Sequence, residues 1–358
     1  MMNTTEMLHS TNSDYSYDYE DLLSPCNFGS AKIFGESCLT VIYSLVFVFG
    51  LSGNILVLWI LLKQKLLKNM TDIYLFNLAL CDLLFAITLP FWAYFAANEW
   101  IWGDAFCKII NVCYILGYSG GVMFIILISI DRYLAIVHAV SLLRARTARC
   151  GIISSVVMWC VATFTSLPTM INNKIDNIDG RIVCHTSFPS EKSSRWKLLS
   201  LFSANVFGYF IPFAVMVFCY TRIIQTLLKN KSYKKHRAIK VILIVVIVFF
   251  VFWTPHNTVM FLESLRELHI LTGCEFSIRL IIAQQITESI TFVHCCLNPI
   301  IYAFLGERFR LHLRRVFHTC LPSLLKYKAR AKPHSASHNF AASVRSQSSR
   351  GHDSSTFI

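Results

Sequence analysis

Asp82 in NLALCDLLF and Glu288 in QQITESITF each stand inside an otherwise apolar run of the chain. A charged side chain at membrane depth is costly, so by default it marks a pathway or a binding site rather than packing. Asn54 and Asn298 occupy comparable runs and, though uncharged, need hydrogen-bond partners there. A third polar group, Asp131-Arg132-Tyr133, closes another such run. None of this is covalent catalysis. There is no clustered Ser, His and Asp set, no phosphate-cradling glycine loop and no metal-ligand run, and the 12 histidines are dispersed. The sequence reads as that of a protein that is not an enzyme and has no metal centre, with chemistry confined to charge and hydrogen bonding.

What must position these groups is a set of membrane helices. The chain has 358 residues, of which 55% are hydrophobic and 15% charged, a balance of the membrane class. Residues 37–62 carry no charged side chain, and about 20 apolar residues suffice for a helix to cross roughly 30 Å of hydrocarbon. Similar spans follow at 71–97, 106–130, 150–172, 198–221, 241–263 and 280–305, giving seven crossings. Long apolar runs without alternation argue for helices, because the backbone must satisfy its own hydrogen bonds in lipid. The expected fold is an all-α membrane protein, a seven-helix bundle over 39–305. The polar first twenty residues lack the pattern of a cleavable signal peptide, so the first helix is expected to serve as its own insertion signal.

Basic residues set the orientation, because Lys- and Arg-rich loops stay cytoplasmic. They gather between spans one and two (Lys63, Lys65, Lys68), three and four (Arg144, Arg146, Arg149), and five and six (Lys229, Lys231, Lys234, Lys235, Arg237), and again after span seven (Arg308, Arg310, Arg314, Arg315). The N-terminal segment 1–38 then lies outside, and it is acidic: DYSYDYED places Tyr15, Tyr17 and Tyr19 among carboxylates. The formal net charge of +13 is an average over two opposed faces, and a nucleic-acid partner is not needed to explain it.

Most of the 13 cysteines lie within apolar spans as small packing residues. Four face outward: Cys26, Cys107, Cys184 and Cys274. An oxidising compartment invites two disulfides among them, and sequence alone allows three pairings. Cys107 to Cys184 would pin the second outer loop, and Cys26 to Cys274 would tie the tail to span seven; Cys38 is a competitor read as packing. The sequon at Asn3 is outside and can carry a glycan, whereas those at Asn69 and Asn230 face the cytoplasm.

From about residue 20 to 320 these residues resemble the rhodopsin-like G-protein-coupled receptors. The marks run in order: Gly53-Asn54, LALCD ending at Asp82, Asp131-Arg132-Tyr133, Trp159, Pro212 with Tyr220, FWTP at 252–255 and NPIIY at 298–302. Within that family DRYLAIVHAV, TLPFWAY, WIWGDAFC and HCCLNPIIYAFLGERFR resemble the chemokine receptors of the CC branch. One departure is His256, where the family usually has Tyr. The intact DRY triplet speaks against the scavenging members.

The resemblance implies a plasma-membrane receptor that captures a basic chemokine with its tail and admits the ligand's flexible N-terminus to a pocket at Tyr43, Trp92, Tyr114 and Glu288. It implies the disulfides Cys107–Cys184 and Cys26–Cys274, and sulfation of Tyr15, Tyr17 and Tyr19. Trp253 and the Pro255 kink would transmit insertion. Asn54, Asp82 and Asn298 would form a water and sodium network, with no other cofactor. Arg132, Tyr220 and Tyr302, with Asp131, Tyr133 and Pro299 of the two inner motifs, would open a cleft for an inhibitory-class G protein, with calcium release and chemotaxis downstream.

Residues 306–319 read as a short amphipathic helix 8 on the inner leaflet, where its arginines meet anionic lipid headgroups. Cys320 follows as a palmitoylation candidate, and 320–358 as a disordered, Ser/Thr-rich cytoplasmic tail for receptor kinases and arrestin. The rivals are a decoy that binds chemokine without G-protein signalling, a receptor for another peptide, and a transporter. A transporter often shows related halves, and no such repeat is visible.

Overall fold

The computed structural model describes residues 35–63, 65–138, 146–178, 180–187, 193–229 and 234–305. Helix α1 (Thr40–Lys63) is entered through a π-helical turn at Gly35–Leu39. The second crossing consists of α2 (Met70–Ala86) and α3 (Leu89–Ala97), the third of α4 (Gly103–Val137) and the fourth of α5 (Ala148–Asn172). A hairpin of β1 (Asn173–Ile178) and β2 (Arg181–Thr186) follows. The fifth crossing is α6 (Ser193–Asn205), a π-helical segment Val206–Phe210, and α7 (Ile211–Lys229). The sixth and seventh are α8 (Lys234–Glu267) and α9 (Cys274–Leu305). By length and composition, six of the seven crossings qualify as membrane spans among the described residues, and α8, at 34 residues, is long enough to be the seventh.

The second span is broken where one helix was expected. Thr88 N–H and Oγ1–H both donate to the Phe85 carbonyl, at 3.0 and 2.7 Å, which tightens the last turn of α2. Pro90, two residues on, has no N–H to donate and fits only the first turn of a new helix. Just before the kink, α2 packs tightly against α4. A Cβ on Gly117 would stand 2.7 Å from both the Cys81 carbonyl oxygen and the Phe85 nitrogen, so only glycine permits this approach. A similar device opens α7: Ile211 N–H reaches back five residues to the Val206 carbonyl, ahead of Pro212.

The strands were not foreseen in an all-α reading. They pair antiparallel with Ile175 opposite Cys184, and Cys184 is bonded to Cys107 near the start of α4, with Cα atoms 5.7 Å apart. Trp100 N–H also donates to the Ile182 carbonyl at 2.9 Å, so the hairpin is held to both the loop before α4 and the helix itself. Cys274 is likewise in a disulfide. Its expected partner, Cys26, lies outside the described residues.

Inward faces carry a core built around Tyr74, Leu78, Phe124, Met216, Phe249 and Trp253. Outward faces carry large apolar side chains, among them Phe49 at 62%, Phe164 at 74% and Phe207 at 68% exposure, the pattern of helices that meet hydrocarbon rather than water. Polar groups in the interior pair across helices: Trp159 Nε1–H donates to Asn77 Oδ1 at 2.8 Å, joining α5 to α2.

Candidate ligand cavity and inner switch

Tyr43, Trp92, Tyr114 and Glu288, named from sequence, come together on the wall of one cavity of about 450 Å³. It lies under the β hairpin, which contributes Arg181 and Val183, and Gln285, Phe292 and Asn111 complete much of the lining. Tyr114 Oη–H donates to Glu288 Oε1 at 2.8 Å. Among the described residues no Lys or Arg lies within ion-pair distance of Glu288, so the carboxylate's charge is met by one phenol. Two further cavity atoms are buried without a hydrogen-bond partner among the described residues, the Trp92 Nε1–H donor and the Gln285 Oε1 acceptor. The cavity therefore presents unmet negative charge, one donor and one acceptor, set among aromatic rings.

Beneath it a run of rings leads inward. Tyr114 stacks parallel to Tyr118 at 6.4 Å between centroids, Tyr118 meets Trp253 at 5.0 Å, and Trp253 meets His294 at 5.9 Å. A second space of about 30 Å³, large enough for about one water, lies among Trp253, His294, Asp82 and Asn298. Asn298 Nδ2–H donates to Asp82 Oδ2 at 2.8 Å. Asn54, expected in the same network, makes no hydrogen bond to Asp82 among those described; its Nδ2–H donates to the Gly50 and Cys295 carbonyls at 2.9 and 3.1 Å, locking α1 to α9.

Trp253 is buried with its Nε1–H unpartnered, and Pro255 sits inside α8 two residues on. Proline there removes a helical hydrogen bond and bends the helix. Tyr209 Oη pairs with Thr254 Oγ1 at 2.8 Å, joining the π-helical segment of the fifth crossing to α8 at the bend. His256 is buried one residue past Pro255, with its Nδ1 unpartnered.

At the inner end of α4, Asp131 is fully buried and held from two sides. Thr71 Oγ1–H donates to one carboxylate oxygen, and Arg146 donates to the other through Nε (2.9 Å) and Nη2 (2.8 Å). Its neighbour Arg132 is exposed and makes no ion pair among the described residues. Tyr220 Oη lies 3.1 Å from Ser129 Oγ, and Tyr133 Oη lies 3.0 Å from His138 Nε2. Pro299 lies within α9, as does the backbone of Tyr302. The Tyr302 side chain, Tyr15, Tyr17, Tyr19, Asn3, Cys320 and helix 8 lie outside what is described.

Sequence reasoning missed Gln285, Arg181, Thr71 and the role of Arg146. In the sequence Arg146 reads only as a topology signal, and nothing in its spacing to Asp131 marks the pair. Outside the membrane, the Asp176 carboxyl is held below its usual range by the His185 ring at 2.7 Å and by Lys174 at 3.0 Å, which staples β1 to β2.

Seven crossings, a disulfide-pinned outer hairpin, an outer cavity with a buried carboxylate and an inner Asp-Arg-Tyr define a membrane receptor, and the family comparison agrees. Residues 53–302 match the model of the 7 transmembrane receptor (rhodopsin family), and the chain belongs to that family. Within it the chain belongs among the chemokine receptors, multi-pass proteins of the plasma membrane. It is 49% identical over 323 residues to human C-C chemokine receptor type 4, covering 89% of each chain, and 46% identical over 317 residues to human C-C chemokine receptor type 1, covering 88% of each.

Proposed function

We propose that this receptor binds a basic CC chemokine at the cell surface and activates an inhibitory-class G protein, raising intracellular calcium and driving chemotaxis. The observation that carries the reading is Glu288, a carboxylate on the cavity wall whose one polar side-chain partner among the described residues is the Tyr114 hydroxyl at 2.8 Å. Such a group favours a cation arriving from outside, and a chemokine's terminal amine or a basic side chain supplies one. The acidic tail, with sulfated Tyr15, Tyr17 and Tyr19, captures the folded body of the ligand first, since complementary charge mainly raises encounter rate.

Insertion then acts through the rings to Trp253 and the Pro255 bend, and α8 swings outward at its inner end. Asp82, with Asn298 beside it, would hold an allosteric sodium ion in the space beneath Trp253, since a carboxylate oxygen and an amide oxygen suit a hard cation. Arg132, Tyr220 and Tyr302 rearrange to admit the G protein. Receptor kinases and arrestin act at the C-terminal tail, helix 8 rests on the lipid surface, and palmitate on Cys320 reinforces it.

A screen of purified chemokines on cells expressing the chain tests this reading, with binding and pertussis-toxin-sensitive calcium release as readouts. At least one CC chemokine is expected to give both. No binder across the panel sinks the reading; binding without any G-protein response replaces it with a decoy.

A further inference from the structure

The cavity wall carries a cation as well as an anion. Arg181 opens β2 and lines the same space as Glu288. Its Nη2 donates to the Phe95 carbonyl at 3.1 Å and to the Asn98 carbonyl, both at the C-terminal end of α3. The guanidinium also lies over the Phe95 ring, 6.0 Å from its centroid, next to the Trp92 and Trp100 rings. These contacts fix the head in place and add the fractional negative charge of a helix end. Among the described residues Glu36 forms a loose ion pair with it, Oε1 lying 4.0 Å from Nη1, which supplies opposite charge but no hydrogen bond. Among the described residues, Nε and Nη1 make no hydrogen bond. A guanidinium has five N–H donors in a rigid fork suited to a carboxylate, and Arg181 uses only its Nη2 group.

Trp92 Nε1–H and Gln285 Oε1, buried and unpartnered on the same wall, ask for one acceptor and one donor. An extended peptide backbone offers both. The inventory thus matches a peptide whose terminal amine meets Glu288, whose first peptide groups meet Gln285 and Trp92, and which carries a negative group farther along. Resting on the chemokine reading above, we infer that Arg181 is a specificity-determining residue, an anion-recognising subsite that selects ligands with an Asp or Glu side chain in the flexible segment before their first cysteine. The ligand's overall basicity is read by the tail, and this local acidic residue by the hairpin.

The test uses the full receptor on cells, the most potent activating chemokine from the panel, and that chemokine with every Asp and Glu before its first cysteine changed to Asn and Gln. On the unaltered receptor the neutralised ligand should lose potency by about tenfold to a hundredfold, the usual worth of a charge-assisted hydrogen bond. Arg181→Gln should lose as much with the original ligand and almost nothing more with the neutralised one, whereas Arg181→Lys should keep part of the discrimination. A purely structural role for Arg181, as a cap on α3, would weaken both ligands equally and overturn the inference while leaving the receptor reading intact. A most potent activator with no Asp or Glu in that segment overturns it too. Should Arg181→Gln fail to reach the surface, the two ligands on the unaltered receptor and on Arg181→Lys decide the matter. Absence of any chemokine binding overturns the inference together with the reading it rests on.

Discussion

Glu288→Gln separates the charge at the cavity from everything else Glu288 does. The amide has nearly the same volume, and its oxygen can still accept from Tyr114 Oη, now 2.8 Å from Oε1, so packing and that hydrogen bond survive. What disappears is the attraction to a ligand cation. At 4 Å and an effective dielectric of about 20, that attraction is worth about 4 kcal/mol. Desolvation of the incoming amine offsets part of it, and charge-assisted hydrogen bonds in proteins retain about 1.5–3 kcal/mol net. Signalling potency should therefore fall by about tenfold to 150-fold. The proposed capture of the chemokine body by the tail would involve none of these atoms and should change by no more than about threefold, the range of a distant substitution. The assay pairs fluorescent-chemokine binding with calcium release at matched surface expression. Tyr114→Phe serves as the companion, since it leaves the charge but removes its one phenol partner. Equal losses in capture and signalling, or no loss in either, would refute the division of labour between tail and cavity.

Other outcomes follow from the same geometry. Asp82→Asn should abolish the sodium dependence of agonist binding, measured by replacing sodium with N-methylglucamine; retained dependence places the ion elsewhere. Arg146→Ala leaves the buried Asp131 with Thr71 alone, a loss of about 1–3 kcal/mol of inner-face stabilisation, and should raise basal nucleotide exchange on the G protein in isolated membranes. Unchanged basal exchange would show that the pair is only structural. Gly117→Ala puts a Cβ 2.7 Å from backbone atoms of α2 and should destabilise the purified receptor by about 1–3 kcal/mol in thermal melts; an unchanged melting temperature would mean that α2 and α4 can part there at no cost. Blocking tyrosine sulfation should slow chemokine association and flatten its salt dependence, as read by stopped-flow or surface kinetics.

The crossings were legible because hydrocarbon imposes a length and a composition that no local propensity can disguise, even in the β-branched stretch of α8. Orientation was legible from lysine and arginine for the same reason, since they are topology signals as well as side chains. The four cavity residues Tyr43, Trp92, Tyr114 and Glu288 came through kinship, not spacing, and the structure sets them around one space. The break at Thr88 was hidden because apolar composition runs unbroken through it, and only the Thr88–Phe85 bonds together with Pro90 show why the helix stops. The hairpin had a local signal that the all-α reading passed over, Asp179-Gly180 between Ile178 and Arg181 with Gly180 at φ +79°; the strands show no clean alternation, and the Cys107–Cys184 bond tethers the hairpin to α4. Arg146 and Arg181 were hidden in plain sight, because a surface arginine and an arginine with a site look the same in one dimension.

The two arginines sit at opposite faces and pose the same physical question, which is how a ligand outside can be felt within. Binding shifts a two-state equilibrium only by the difference in affinity for the two states. A charge pair at Glu288 contributes to that difference only if its geometry changes when the receptor turns on. The stacked Tyr114 and Tyr118 rings supply such a dependence: Tyr114 holds the carboxylate on one side and, through Tyr118, touches Trp253 above the Pro255 bend on the other. In the proposed mechanism a cation that draws Glu288 off Tyr114 would free that ring to move with Trp253. Inside, Asp131 is already clamped by Thr71 and Arg146 while Arg132 stands exposed, so the inner face can open without first breaking an Asp131–Arg132 pair. In the proposed mechanism the packing around Trp253 and the Tyr209–Thr254 contact at 2.8 Å would resist opening, and the ligand's differential binding energy would have to be delivered there.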